Sequence, residues 1–201
     1  MTGRYNAGIT SHSLWFNEFK LAVSLYLDGK TLDEIKQASD EENIFKMATS
    51  NRAKRASRNI VRRIDSLPFN IIKIFPMLDI ESQEVVALLS MMLTNQIMDD
   101  FMFEVYRNEI ILGDRILYDR EINAFFVKKQ MENEQVGNWT DKTTTRVKAA
   151  LKTILRDAGL LKKQTNPQKD GDLVLKPYLS LQLIDAMKKD GLERELAALG
   201  G

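Results

Sequence analysis

The sequence predicts a mostly helical, all-α bundle with a small β-hairpin near its C-terminus. Three observations carry this. Apolar residues recur at spacings of three and four almost throughout the chain, the period of a helix with one buried face. Hydroxyl or carboxylate side chains stand before many of those runs, and glycines after several, as helix caps and stops. Late in the chain, two short runs (160–164 and 173–176) flank Thr165-Asn166-Pro167-Gln168-Lys169-Asp170-Gly171, a turn-rich segment that suits a hairpin.

The elements follow in order. Ser11 or Ser13 can cap a first helix carrying Leu14, Phe16, Leu21, Leu25 and Tyr26, stopped at Asp28-Gly29. Thr31-Leu32-Asp33-Glu34 has the form of a capping box and opens a short second helix. Thr49 or Ser50 can cap a third, running to about Leu67 before Pro68. A short apolar segment (69–78) precedes helices over about 82–94 and 97–112, the latter ended by Gly113. Asp119 can cap a helix through Glu132, and Thr140 one that reaches Ala158, with Gly159 placed to end it in a left-handed conformation. After the hairpin, Pro177 can start a helix to about Lys189, and Gly191 precedes a last short one. The expected division falls near 113–119, giving a helical N-terminal domain (1–115) and a winged-helix-like C-terminal domain (116–201).

Composition excludes several function classes. The chain has 201 residues, long enough for one generous domain or two small ones, and its 44% hydrophobic content is that of a folded protein. It has no cysteine, so disulfides, thiolate metal sites and cysteine nucleophiles are absent. The first ten residues hold no apolar run of the secretory type, and an intracellular, cytoplasmic protein is expected. The longest apolar stretches, 71–78 and 85–93, are about half the roughly 18 residues that span a bilayer. The single histidine, His12, cannot build a histidine metal cluster and fits a surface or capping role. Gly29-Lys30-Thr31 resembles the end of a phosphate-binding loop, but Ser24 stands where that loop needs glycine, and the segment joins two helices. Asp99, Asp100 and Glu104 could share one helical face as a weak Mg²⁺ contact, though a solvated acidic face is the commoner explanation. Trp15, Trp139, Met91 and Met92 suit core or interface. No cofactor or catalytic residue is expected.

Two basic constellations remain. The first is 50–67, where Arg52, Lys54, Arg55, Arg58, Arg62 and Arg63 are interrupted by no acid between Asn43 and Ile64. Ala53, Ala56, Ile60, Ile64 and Leu67 step by three or four on the buried face. Arg52, Arg55, Arg58 or Asn59, and Arg62 are left on an exposed stripe. Five of the six cations are arginine, whose planar fork matches phosphate. The competing reading pairs them with the acids of 79–109, which holds seven acids against one arginine. The second is 139–163, where Thr140, Thr143, Thr144 and Thr145 open a helix bearing Lys142, Arg146, Lys148, Lys152 and Arg156 over a face of Val147, Leu151, Ile154 and Leu155. Helix, second helix, glycine turn and hairpin is the layout of a winged helix-turn-helix, in which the second helix enters the major groove. An ordinary capped amphipathic helix is the alternative. The expected nucleic-acid-binding set is therefore Arg52, Lys54, Arg55, Arg58, Arg62, Arg63, Lys142, Thr143, Thr144, Arg146, Lys148 and Lys152.

The sequence resembles the BrxA family of the BREX bacteriophage-defence gene clusters in three places. Tyr5-Asn6-Ala7-Gly8-Ile9-Thr10 is similar to the family's opening. Glu42-Asn43-Ile44-Phe45-Lys46 before the basic helix is similar to its central passage. Trp139-Thr140-Asp141-Lys142-Thr143, with Ile154-Leu155-Arg156-Asp157-Ala158-Gly159-Leu160-Leu161, follows its C-terminal pattern. One departure is Met47-Ala48-Thr49-Ser50, where relatives often carry an Arg-Ser-Pro turn. The resemblance implies a helical core with a small hairpin, binding to double-stranded DNA, and a supporting role beside a methyltransferase and an ATPase. Some relatives are described as inner-membrane proteins, against the hydropathy of this chain. Two other readings stay open: a helical adaptor between proteins, and an RNA binder.

Overall fold

A computed structural model describes residues 5–164 and 170–201. After a 3-10 turn at Ala7–Ser11 come α1 (Phe16–Leu27), α2 (Leu32–Glu42), α3 (Ser50–Asp65), α4 (Phe69–Ile74) and α5 (Ile80–Thr94). Next are α6 (Gln96–Phe101), a π turn (Met102–Tyr106) and α7 (Arg107–Ile111), which run on without a break in helical backbone. Then follow β1 (Ile116–Leu117), α8 (Asp119–Glu132), α9 (Glu134–Gly137), α10 (Asp141–Asp157), β2 (Leu161–Lys163), β3 (Asp172–Val174), α11 (Leu181–Lys189) and α12 (Glu193–Ala198).

Capping chemistry accounts for many boundaries. Thr31 Oγ1 accepts from Glu34 N while Glu34 accepts from Thr31 N at 2.7 Å, completing the expected box at α2. Thr49, Asp79, Asn95, Thr140 and Ser180 each accept a hydrogen bond from a backbone N–H in the first turn of the helix they open. Three expected starts differ. α1 opens at Trp15, which no side chain caps, rather than at a serine. α8 begins after Tyr118, whose N–H is held by Glu121, so Asp119 lies inside the helix. α11 starts at Ser180, not Pro177, because only the hydroxyl supplies an acceptor for the free amides.

The two late strands pair antiparallel, with Leu161 opposite Val174 and Lys163 opposite Asp172. Their expected turn, 165–169, lies outside the described residues. β1 adds a third strand in the order β1-β3-β2, pairing Ile116 with Leu173. Gly171 makes this possible: its φ is +92°, and a β-carbon there would stand 2.7 Å from Ile116 Cγ2 and 3.0 Å from Leu117 O.

One hydrophobic cluster runs from Ile9 to Leu199 and draws on both sides of the 113–119 segment. The Ala7–Ser11 turn packs on α10, α4 on α11, and α12 on the π turn, so the C-terminal helices close over the N-terminal ones. Met91 and Met92 are buried, as expected for core. Among the described residues no helix is long and apolar enough to cross a membrane.

Candidate nucleic-acid interface

α3 forms because Thr49 caps it, with Thr49 Oγ1 accepting from Arg52 N at 3.2 Å, and because its apolar residues repeat at helical spacing. Ala53, Ala56, Ile60 and Ile64 are buried against α1, α2 and α5, and Ser57 Oγ reaches Asp40 of α2 at 2.7 Å. That orientation leaves Arg52, Lys54, Arg55, Arg58 and Arg62 exposed. Among the described residues, no carboxylate lies within 4.0 Å of any of the five. Four of the seven acids of 79–109 that were the rival explanation are used elsewhere: Asp79 caps α5, and Asp99, Asp100 and Glu104 meet Arg194, Lys128 and Lys129. The stripe therefore keeps its charge, and the positive end of the α3 dipole adds to it.

Two neighbours in the same run are buried. Arg63, expected on the binding surface, is fully enclosed. Its Nη1 donates to Leu14 O at 2.8 Å, Nη2 to Ala87 O at 2.8 Å and Nε to Ser90 Oγ at 3.0 Å, and Phe19's ring lies 4.8 Å from the guanidinium carbon. Burial, and then Arg62's charge, lowers it to about 9, so it remains a cation at neutral pH. Asn59 is buried too and hands Nδ2 to His12 Nδ1 at 3.2 Å. Arg63 and Asn59 thus fasten the 12–14 segment alongside α3.

A polar cleft of about 420 Å³ opens between them, lined by Ser11, His12, Ser13, Trp15, Arg52 and Arg55, with others. A second, of about 300 Å³, continues along His12, Arg55, Arg58, Asn59 and Arg62. His12 is half-buried, and burial, followed by the charges of Arg62, Arg63 and Arg55, pushes its imidazole down to about 4.

α10 is less free. Lys142 and Arg146 are exposed at its start, and Thr143 is half-buried beside Thr140. Thr144, an expected contact, is buried beneath them, because it lies three residues before Val147 on the apolar face. Lys148 gives its Nζ to Asn123 at 2.7 Å over the ring of Phe126. Lys152 pairs with Asp119 at 2.9 Å and Asp172 at 3.1 Å, and Arg156 with Asp172 at 2.7 Å. These bonds hold Asp172 below the usual carboxylate range against the upward pull of its burial. Among the described residues, Lys142 and Arg146 are the cations of this helix left without a partner.

The model of the BrxA family matches residues 3–191. The chain belongs to the BrxA family. A relative from Bacillus cereus (strain H3081.97), named "BREX protein BrxA", is 30% identical over 187 residues, covering 93% of this chain and 92% of the relative. A crystal structure of an uncharacterized protein from Magnetospirillum magneticum superposes on this BrxA-family chain with a TM-score of 0.79 over 98% of each chain. At 18% identity it speaks for the shared fold alone.

In this BrxA-family fold the acidic group at Asp99, Asp100 and Glu104 is not the solvated face that sequence suggested. Lys129 Nζ sits 2.6 Å from both Asp100 Oδ2 and Glu104 Oε1, and Arg194 reaches Asp99 at 3.0 Å and Asp100 at 3.2 Å. Tyr5 also donates to Asp100. Burial would raise Asp100 and Glu104, but the lysine bonds win and hold both below the usual range, while burial keeps Asp99 above it. The cluster ties the N-terminal segment, α6, α8 and α12 together. Sequence missed Lys129 although its position three residues after Phe126 placed it on the buried face of α8.

Proposed function

We propose that this protein is a non-catalytic DNA-binding accessory component of a BREX phage-defence system, acting in the cytoplasm. It holds duplex DNA chiefly through its phosphates. The observation that carries the reading is the exposed face of α3, where five cations stand without a carboxylate partner among the described residues. Like charges at helical spacing repel by a few tenths of a kcal/mol per adjacent pair, and an anionic partner relieves that repulsion. Arginine forks bind phosphate oxygens bidentately, and such contacts are largely indifferent to base sequence.

The C-terminal unit gives a second, smaller contact of winged-helix type. In support, β1, α8, α10, β2 and β3 occur in that order, β1 backs the hairpin, and Lys142, Thr143 and Arg146 stand at the start of α10. The Ala7–Ser11 turn, packed on α10, leads directly into the segment that lines α3, so one duplex can touch both helices. A role beside the system's methyltransferase and ATPase components rests on family membership. The carboxylates best placed for metal chemistry are already engaged by Lys128, Lys129 and Arg194, which favours binding over catalysis.

A band-shift comparison of duplex DNA, duplex RNA and single strands tests the proposal. Retardation of duplex DNA at physiological salt is expected. No shift with any of them would favour the protein adaptor and overturn the reading, and preferential retention of RNA would redirect it.

A further inference from the structure

We propose that the cleft between the 10–15 segment and α3 is a seat for one backbone phosphate of bound DNA, with His12 and Arg55 closing on it from opposite walls. This rests on the DNA-binding reading and adds to it a residue, His12, and a dependence on protons.

The geometry supplies the seat. His12 and Arg55 line both adjoining clefts, so they stand where the two meet. The walls are held in place before any ligand arrives, by Arg63 on the carbonyl of Leu14 and by Asn59 on the imidazole. Because Asn59 Nδ2 meets His12 Nδ1, the neutral ring carries its hydrogen on Nε2, leaving that N–H as a donor with no partner in the protein among the described residues. Among the described residues two buried atoms there lack partners: the indole N–H of Trp15, a donor for a phosphate oxygen, and Oδ1 of Asn59, a side chain only 5% exposed, an acceptor that can serve a protonated His12. Trp15 itself is held at φ 47° and ψ 50°, a left-handed conformation that an ordinary residue adopts only under constraint. Ser11, Ser13, Thr49 and Asn51 complete the rim with short polar side chains.

The charges acting on His12 from α3 are Arg62, Arg63 and Arg55, all positive, and with burial they keep the imidazole neutral down to about pH 4. A phosphate in the seat reverses the sign of that field. The ring then takes a proton from solvent on Nδ1 as DNA binds, the Asn59 amide turning over so that its unpartnered Oδ1 accepts that N–H, and affinity increases as pH falls. If the ring returns to its ordinary value of about 6.5, the affinity gain between about pH 8 and about pH 5 is roughly 30-fold.

The chain's single histidine makes the test direct. The ring resonances of His12 are followed by NMR across pH in the full chain, alone, with duplex DNA, and with inorganic phosphate. Duplex affinity is measured over the same pH range at constant ionic strength for wild type, His12→Gln and Arg55→Gln. The expected result is a titration near pH 4 alone that moves up by more than one unit with DNA. The affinity gain should flatten to a few-fold in His12→Gln, and the His12 shift should be blunted in Arg55→Gln. DNA that binds while the His12 titration stays put overturns the seat and leaves α3 binding intact. A shift with inorganic phosphate but none with DNA also overturns it, since the seat would then serve a free anion. Failure to bind DNA at any pH removes both this inference and the reading beneath it.

Discussion

Arg62 and Arg63 are adjacent in sequence, yet the structure gives them opposite work, and alanine at each should separate two effects that the charge run merges. Arg63→Ala removes a fully buried cation that donates to three oxygens. Ala87 O keeps its bond from Ser90 Oγ, so the carbonyl of Leu14 is the acceptor left bare, at about 1–3 kcal/mol. The space vacated by a large side chain adds about 2–5 kcal/mol, offset by release of an unpaired buried charge. A net loss of about 3–5 kcal/mol follows, a Tm lower by roughly 10 °C in a chain of this size. Lysine should not rescue it, because one ammonium cannot copy three diverging donors. Arg62→Ala should leave the Tm almost unchanged, within about 0.5 kcal/mol, and make the slope of log DNA affinity against log salt less negative by about 0.9, one phosphate contact. Differential scanning calorimetry and fluorescence anisotropy at several salt concentrations read the two effects. An Arg63→Ala protein that melts with wild type but loses more DNA affinity than Arg62→Ala would refute this assignment and return Arg63 to the binding surface.

Other outcomes follow from the same contacts. Lys129→Met leaves Asp100 and Glu104 short of their shared cation and should lower unfolding free energy by about 3–5 kcal/mol in urea titration, with a wild-type midpoint counting against the buried cluster. His12, depressed in the fold, stabilises it fully above its ordinary value and loses that contribution as pH falls toward about 4. Urea midpoints should therefore drop over that window, and less so in His12→Gln. Asp100, Glu104 and Asp172, held low, should be felt only at more acid pH, where their stabilisation fades as each is protonated. On α10, Arg146→Ala should weaken DNA binding modestly at unchanged stability. Lys152→Ala should instead lower stability while leaving the salt slope alone, because Lys152 serves Asp119 and Asp172.

Helical periodicity made most of the fold legible. The α2 capping box, the Thr49 and Thr140 caps and the left-handed Gly159 at φ +71° stand where residue types placed them. β1 was not legible, since two residues show no alternation and its pairing depends on room left by Gly171, about 55 residues further along the chain, rather than on local pattern. The stripe on α3 was legible down to Arg62, but its buried members were not separated by residue type. Arg63 lies three residues after Ile60 and four before Leu67, which puts it on the apolar face, and the same spacing buries Thr144 and Lys129. In each case position on the helix outweighed polarity, and the fold supplied carbonyls, hydroxyls or carboxylates to make that burial tolerable. His12 does cap the Ala7–Ser11 turn, as its residue type allowed, but its contact with Asn59, 47 residues along the chain, was not legible from any local pattern.

The measurement that bears most directly on the central claim is the salt dependence of duplex affinity for wild type and for a protein with Arg55, Arg58 and Arg62 all changed to Glu. Exposed charges contribute only about 0–1 kcal/mol each to stability, so the triple variant should keep its circular dichroism and its fold. If Arg52, Arg55, Arg58 and Arg62 each neutralise one phosphate, these four alone contribute about −3.6 to the wild-type slope, that is about −0.9 per contact, with Lys54 and the α10 cations making it steeper. The folded triple variant should lose nearly all binding. A folded triple variant with wild-type affinity and an unchanged slope would contradict the claim that α3 is the interface.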